Sequence, residues 1–172
     1  MSTTSSPVSP LPHMDFDSDS LKLRLKVSFP ADIAHISEVV DAIMKIITAM
    51  DCARGHEDDI ELSLREALAN AIKHGAGGDA AKQVACSVGC EEEHGMLIVV
   101  SDPGDGFDLE KVADPLQGEN IYSDHGRGIF LINRFMDHVE YKRGGTEIHM
   151  RKFTKNAADA GQKSCGMKEG VI

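Results

Sequence analysis

The sequence of 172 residues contains no tryptophan, two tyrosines, six phenylalanines and no long apolar run. No stretch approaches the roughly 20 apolar residues that span a bilayer, which argues against a transmembrane protein. The N-terminus lacks the basic start and apolar stretch of a secretory signal peptide. No Gly-Lys-Ser or Gly-Lys-Thr occurs, which excludes a Walker A loop. These absences favour a cytoplasmic protein that contacts no membrane.

Positive charge is also scarce, since 18 Lys and Arg against 28 Asp and Glu give a formal net charge of −10 at pH 7. Such a chain repels phosphate backbones, so nucleic acid is not expected as a direct partner. An acidic protein can still hold a nucleoside triphosphate, because Mg²⁺ and backbone N–H groups neutralise phosphates locally. The four cysteines do not form the two close pairs of a metal site and are expected to be reduced thiols.

Composition divides the chain into three parts. Residues 1–19 are rich in Ser, Thr and Pro and are expected to be disordered. Residues 154–172, rich in Ala, Gly and Lys, are expected to form a flexible tail. A single domain over residues 20–153 lies between them, with no internal repeat and no interdomain linker.

The hydrophobic periodicity of this domain alternates between strand and helix patterns. It predicts, in order, a strand (about 21–29), two helices (33–50 and 57–75), a hairpin (84–100), a third helix (128–136) and a closing hairpin (139–152). Strands joined by hairpins imply a mostly antiparallel sheet. The fold expected is therefore an α/β two-layer sandwich with about three helices on one face of the sheet.

The second predicted helix carries a polar row. Glu66, Asn70 and His74 follow each other at intervals of four residues and lie away from the apolar stripe. A carboxylate one turn from a carboxamide can hold Mg²⁺ and a hydroxyl side by side. A solvated helix face is the alternative, although asparagine is unfavourable in the middle of a helix.

A glycine-containing turn follows the second strand of the first hairpin. It reads Asp102-Pro103-Gly104-Asp105-Gly106, and its alternate glycines let the backbone approach a flat ligand. The carboxylate of Asp102 can accept a hydrogen bond from an exocyclic amine such as that of adenine. The alternative is an ordinary turn that ends a strand.

Two further glycine motifs come later in the chain. Gly126-Arg127-Gly128 precedes the third predicted helix, where free N–H groups and the helix dipole favour the binding of phosphate. The guanidinium group of Arg127 could donate further hydrogen bonds to phosphate oxygens. A flexible loop is the alternative there. The sequence Gly144-Gly145-Thr146 lies at the last hairpin, where turn chemistry alone would explain it.

The order of these motifs resembles the GHKL ATPase family, which includes histidine kinases, gyrase-type ATPases, Hsp90 and anti-sigma-factor serine kinases. The resemblance covers about residues 20–153. The stretch Glu66-Ala-Leu-Ala-Asn70-Ala-Ile-Lys-His74-Gly75 looks like the N-box of the anti-sigma serine kinases. The stretch Gly126-Arg-Gly-Ile-Phe-Leu-Ile132 looks like their short second glycine box.

The resemblance implies a role for each motif in binding ATP and Mg²⁺. Asp102 would recognise adenine, helped by Gly104, Gly106 and Thr146. Asn70 would coordinate Mg²⁺, and Glu66 would act as the general base that takes the proton of the substrate serine. The β- and γ-phosphates would be covered by Gly126, Arg127 and Gly128, with residues 114–125 as a mobile lid.

By the same resemblance, the chain is expected to be an ATP-dependent serine-protein kinase and anti-sigma factor. Members of that group sequester a sigma factor and phosphorylate a STAS-type anti-anti-sigma protein on serine, and they are usually homodimers. Three alternatives stay open: a nucleotide-gated binding protein without phosphotransfer, a detached ATP-binding domain of a histidine kinase, and the same kinase acting on a STAS protein outside sigma control. The histidine-kinase alternative has only His35 as a phosphoacceptor, without a second dimerisation helix.

Overall fold

The computed structural model describes residues 21–51, 54–91, 95–106 and 124–153. The elements in chain order are β1 (Leu21–Pro30), α1 (Ile36–Ala49), α2 (Glu57–Asn70), β2 (Gln83–Glu91), β3 (Gly95–Ser101), α3 (Asp124–Phe135), β4 (His138–Lys142) and β5 (Glu147–Lys152). The terminal segments predicted at 1–19 and 154–172 lie outside the described residues, so the division of the chain into these segments stays a prediction. No helix in the described part of the chain is both long and apolar enough to cross a membrane.

The five strands form one sheet in the order β1-β2-β3-β5-β4, and every neighbouring pair is antiparallel. The last strand, β5, therefore lies between β3 and β4. One row across the sheet shows how the buried face is built: Val27, Cys86, Val100, Ile148 and Tyr141 align in register. The α/β two-layer sandwich with an antiparallel sheet and three helices, predicted from periodicity, is confirmed.

The first helix begins after a capped turn. A 3₁₀ turn spans Ile33–His35, and the carboxylate of Asp32 accepts a hydrogen bond from the Ala34 backbone N–H at 2.9 Å. This satisfies one of the N–H groups left free at a helix start. The apolar stripe of α1 then enters the core through four buried residues: Ile36, Val40, Ile43 and Ile47.

Helix α2 lies at the centre of the helical layer, in contact with both α1 and α3. Three acidic residues occupy its first turn, where they complement the positive end of the helix dipole. The predicted apolar stripe is buried throughout: Ile60, Leu64, Ala67, Leu68, Ala71 and Ile72. The helix continues beyond Asn70 into a single π-helical turn, Ala71–Gly75.

Two titratable side chains on the buried face of the sheet have shifted pKa values. Burial disfavours the charged forms and raises the pKa of Cys86 to about 12 and that of Tyr141 to about 12. Cys86 is a free thiol, as expected from the sequence. Cys90 is disulfide-bonded, so the expectation of a reduced thiol is wrong at that residue.

A buried lysine joins the end of the sheet to two helices. Lys152 is 9% exposed, and its Nζ donates a hydrogen bond to the Phe135 carbonyl at the end of α3. The same nitrogen lies 3.6 Å from a carboxylate oxygen of Asp59 in α2 and 3.5 Å from one of Asp137. A buried ammonium group is stable only when acceptors surround it, and here the acceptors come from different elements. Lys152 therefore holds β5, α2 and α3 together.

We expect Lys152→Ala to lower the free energy of unfolding by about 1–3 kcal/mol, since it leaves a helix carbonyl unpaired and two carboxylates without their cation. Lys142→Ala is the matched control, because the Lys142 side chain is 41% exposed and pairs with the exposed side chain of Glu140. That change should cost less than about 0.5 kcal/mol. Urea denaturation of both variants measures the difference, and equal stabilities would contradict this role of Lys152.

Candidate functional site

The polar row of α2 faces the first half of α3. A Cβ atom at Gly128 would lie 2.8 Å from Oε2 of Glu66 and 3.3 Å from Nδ2 of Asn70. Both polar side chains are half-buried. His74 belongs instead to the exposed part of the π-helical turn, which departs from the α-helical spacing that the sequence predicted.

At Gly128 the backbone of α3 comes close to this polar pair. The far end of α3 lies near the start of α2, because Lys152 binds both the Phe135 carbonyl and Asp59. The two helices are therefore antiparallel. A side chain at position 128 would displace the Glu66 carboxylate, so the absence of Cβ permits this spacing.

The prediction that a glycine loop precedes the third helix is wrong. Residues Gly126, Arg127 and Gly128 lie within α3, which begins at Asp124 rather than at Gly128. Glycine usually weakens a helix, but the contact of Gly128 with α2 explains its presence there. Arg127 is exposed, in the first turn of α3 where backbone N–H groups lack helical partners.

The predicted lid, residues 114–125, lies outside the described residues except for Asp124 and His125. These two residues are the first of α3. The role of the segment as a lid therefore stays a prediction.

The carboxylate of Asp102 stands at the end of β3. Its Oδ1 accepts a hydrogen bond from the Gly104 backbone N–H at 2.9 Å, and its own N–H donates to the Thr146 carbonyl at 3.0 Å. Burial raises the pKa of Asp102, and the hydrogen bond from Gly104 partly offsets this. Asp102 is thus a half-buried carboxylate with one oxygen already held by the backbone.

The turn after Asp102 packs against the last hairpin. Gly106 has φ +76°, and a Cβ atom there would lie 2.0 Å from the Gly144 carbonyl oxygen and 3.3 Å from Cγ2 of Thr146. The Thr146 hydroxyl donates to the Arg143 carbonyl at 3.1 Å. Gly104, Gly106 and Thr146, predicted together with Asp102, therefore surround the end of β3.

One residue of the site was not among those predicted to bind. Gly75, at the end of the π-helical turn, lies directly against the carboxyl group of Asp102. The sequence marks Gly75 only as the end of a helix and of the N-box-like stretch. With it, contacts run without a break from Gly128 through Glu66 and Asn70, along α2 to Gly75, and on to Asp102 and Thr146.

A separate hollow lies between β1 and α1. It has a volume of about 330 Å³ and is lined mainly by apolar side chains, together with His35 and Glu38. None of its lining residues belongs to the site around Asp102 and Glu66. His35 is therefore placed on a different surface from the polar row of α2.

Comparison with known proteins gives one family match and a set of similar chains. The model of the histidine kinase-like ATPase domain matches residues 29–152. The serine-protein kinase RsbW of Staphylococcus aureus strain bovine RF122 / ET3-1 is 29% identical over 144 residues, 76% of this chain and 87% of the relative. The RsbW proteins of strains MSSA476 and JH9 match with the same identity and coverage.

We expect Gly106→Ala to destabilise the protein by about 2–5 kcal/mol, because it combines a left-handed backbone with a collision at the Gly144 carbonyl. Gly144→Ala is the control, since Gly144 also has a positive φ but no atom within 4 Å of an added Cβ. That variant should lose only about 1–2 kcal/mol. Chemical denaturation would contradict the packing argument if both variants lost the same stability.

Proposed function

This chain belongs to the histidine kinase-like ATPase domain family, as its resemblance to the GHKL ATPases predicted, and from that membership we propose that it is an ATP-dependent serine-protein kinase. It binds ATP at the site built from α2, the end of β3 and the start of α3. It transfers the γ-phosphoryl group to a serine of a partner protein. The names of the similar Staphylococcus chains, serine-protein kinases, support this reaction.

The observation that carries the proposal is the unbroken line of contacts along α2. Glu66 and Gly75 are nine residues apart, which is about 13 Å of helix rise. One end of this line offers a carboxylate and a carboxamide beside Gly128, and the other end offers the carboxylate of Asp102. A nucleoside triphosphate likewise has a base at one end and reacting phosphates at the other.

The end of the site at Asp102 suits adenine. Asp102 offers a carboxylate oxygen that accepts hydrogen bonds, which matches the exocyclic amine of adenine. Gly104 and Gly106 present backbone without side chains beside it, and Thr146 closes the site from the last hairpin.

The phosphate end suits Mg²⁺ held jointly with the triphosphate. Among the described residues, no group of three His, Cys, Asp or Glu forms a metal site by itself. Mg²⁺ usually has one or two protein ligands and completes its shell with phosphate and water. The side-chain oxygen of Asn70 is the ligand we propose, and the ion would neutralise phosphate charge. Gly126, Arg127 and Gly128 would lie over the phosphates.

Glu66 would act as the general base. As the serine Oγ of the partner bonds to the γ-phosphorus, the bond from that phosphorus to the β–γ bridging oxygen breaks. ADP leaves, and the serine proton passes to the Glu66 carboxylate. Positioning and charge neutralisation supply most of the acceleration in phosphoryl transfer, so Glu66 adds a smaller factor, typically about 10²–10⁴-fold.

We further propose that the phosphorylated partner is a STAS-type anti-anti-sigma protein, and that the kinase also sequesters a sigma factor as a homodimer in the cytoplasm. These partners follow from the resemblance to anti-sigma-factor kinases. The acidic net charge of −10 is compatible with protein partners and unfavourable for direct contact with nucleic acid.

The test of the function incubates the purified full chain with ATP labelled at the γ-phosphate and a small STAS protein from the same genome. We expect acid-stable label on a serine of the STAS protein and none on its Ser→Ala variant. Acid-labile label on a histidine would indicate a histidine-kinase reaction instead. Nucleotide binding without any transfer, with partner capture retained, would indicate a nucleotide-gated binding protein.

We expect Glu66→Ala to reduce serine phosphorylation by about 10²-fold or more while ATP affinity changes little. Asp58→Ala is the matched control, because it removes one carboxylate from an exposed position of the same helix. Single-turnover transfer and calorimetric ATP binding measure the two effects. Transfer by Glu66→Ala at the wild-type rate would refute the assignment of the base.

We expect Asp102→Asn to weaken ATP binding by about 10-fold or more, because the charge-assisted acceptor for the adenine amine is lost. The fold should be retained, since the substituted side chain keeps its size and an oxygen for the Gly104 N–H. Asp105→Asn removes a charge from an exposed neighbour and serves as control. Unchanged ATP affinity in a folded Asp102→Asn protein would count against adenine recognition by Asp102.

A further inference from the structure

The end of α2 has an unusual backbone. In the π-helical turn Ala71–Gly75, the Ala76 N–H donates to the Ala71 carbonyl at 2.8 Å, five residues back. The Gly78 N–H then donates to the Ile72 carbonyl at 2.8 Å. Turns of this kind are rare and are found frequently at functional sites. Here the wide turn brings the backbone of Gly75 against the end of β3.

Gly75 occupies the space next to the carboxyl group of Asp102. A Cβ atom at Gly75 would lie 2.0 Å from Cγ, 2.2 Å from Oδ1 and 2.5 Å from Cβ of Asp102. The backbone at Gly75 is not in the left-handed region, unlike that at Gly77 and Gly78. Backbone conformation therefore does not require glycine at position 75, but the contact with Asp102 does.

A second glycine backbone encloses the same carboxyl group. A Cβ atom at Gly104 would lie 2.4 Å from the Gly75 carbonyl oxygen and 2.9 Å from Oδ1 of Asp102. The Gly104 N–H also binds that Oδ1. The Asp102 side chain thus stands between two backbone segments, one from each side, and its orientation depends on both.

We propose that Gly75 is a positioning residue that sets the specificity of the site for the nucleotide base. Its missing side chain leaves the space in which the Asp102 carboxylate stands, and so fixes where the acceptor for an exocyclic amine lies. This inference rests on the proposed ATP-binding function. Gly75 acts through Asp102 and does not take part in phosphoryl transfer.

The position of Gly75 also ties base recognition to the reacting end of the site. Gly75 continues the same helix that carries Glu66 and Asn70, and its carbonyl contacts Gly104. One group, the Asp102 carboxylate, accepts a hydrogen bond from the nucleotide base, and the other, Glu66, is the general base. The distance between them is therefore set by the length of one helical segment. A loop at this point would not fix that distance.

The test compares two ligands that differ in one group: ATP, and purine riboside 5′-triphosphate, which lacks the 6-amino group. We expect the wild-type full chain to bind ATP about 10-fold or more tightly, which is the effect of one charge-assisted hydrogen bond. In Gly75→Ala the methyl group forces the Asp102 carboxyl to rotate away. The preference for ATP should then fall to about twofold or less, measured by calorimetry.

Two further variants separate positioning from a general loss of structure. Gly77→Ala strains a backbone with φ +71° but has no atom within 4 Å of the new Cβ, so it should lower stability and keep the preference for ATP. In an Asp102→Asn background, Gly75→Ala should have no additional effect on the ratio of affinities. Such non-additivity is expected when one residue acts through the other.

If Gly75→Ala fails to fold, a double variant tests the proposal instead. Gly75→Ala combined with Asp102→Gly removes the side chain that the methyl group meets, so it should restore folding and bind both triphosphates equally. Failure of this double variant to fold would overturn the proposal.

Three results with folded protein would also overturn it. A wild-type preference retained in Gly75→Ala would show that Gly75 does not position Asp102. Equal wild-type affinity for the two triphosphates would refute base selection by this site while leaving ATP binding intact. Binding of neither triphosphate by the wild type would refute the proposed function itself.

Discussion

Helix α2 can serve as the centre of the site only because glycine stands at two of the contacts between this helical segment and its neighbours. Gly128 lets α3 lie against Glu66 and Asn70, and Gly75 lets the end of α2 lie against Asp102. At both places a functional side chain takes the space that a Cβ atom would need: Glu66 Oε2 at Gly128 and the carboxyl group of Asp102 at Gly75. The geometry of the site is therefore set by close backbone packing, which is stiff because it leaves no room for alternative rotamers.

The opposite end of the helical layer is fixed by charge rather than by small residues. Lys152 joins α2 at Asp59 to the last carbonyl of α3. The antiparallel helix pair is thus constrained at the lysine end by one buried cation and at the site end by Gly128. A relative shift of α3 would have to break these two different kinds of contact together, which favours a well-defined position of Glu66.

The local pattern of apolar residues predicted the order of helices and strands, because alternating and helical spacings reflect which face of each element is buried. The same patterns failed where tertiary contacts decide. Gly126 and Arg127 looked like a loop before the helix, since glycine weakens isolated helices, whereas α3 already begins at Asp124 and packs against Glu66 at Gly128. The π-helical turn was also missed, because the apolar spacing of α2 runs through Ile72 without interruption. The contact between Gly75 and Asp102 joins distant segments, and no spacing in the sequence encodes it.

The place of β5 between β3 and β4 has a consequence for synthesis. The strand that completes the centre of the sheet is the last of the described strands to leave the ribosome. Until it emerges, β3 lacks one of its two neighbours and β4 has no partner, so both expose unpaired edges. The sheet therefore remains incomplete until nearly the whole domain is made, and during that interval its unpaired edges favour aggregation.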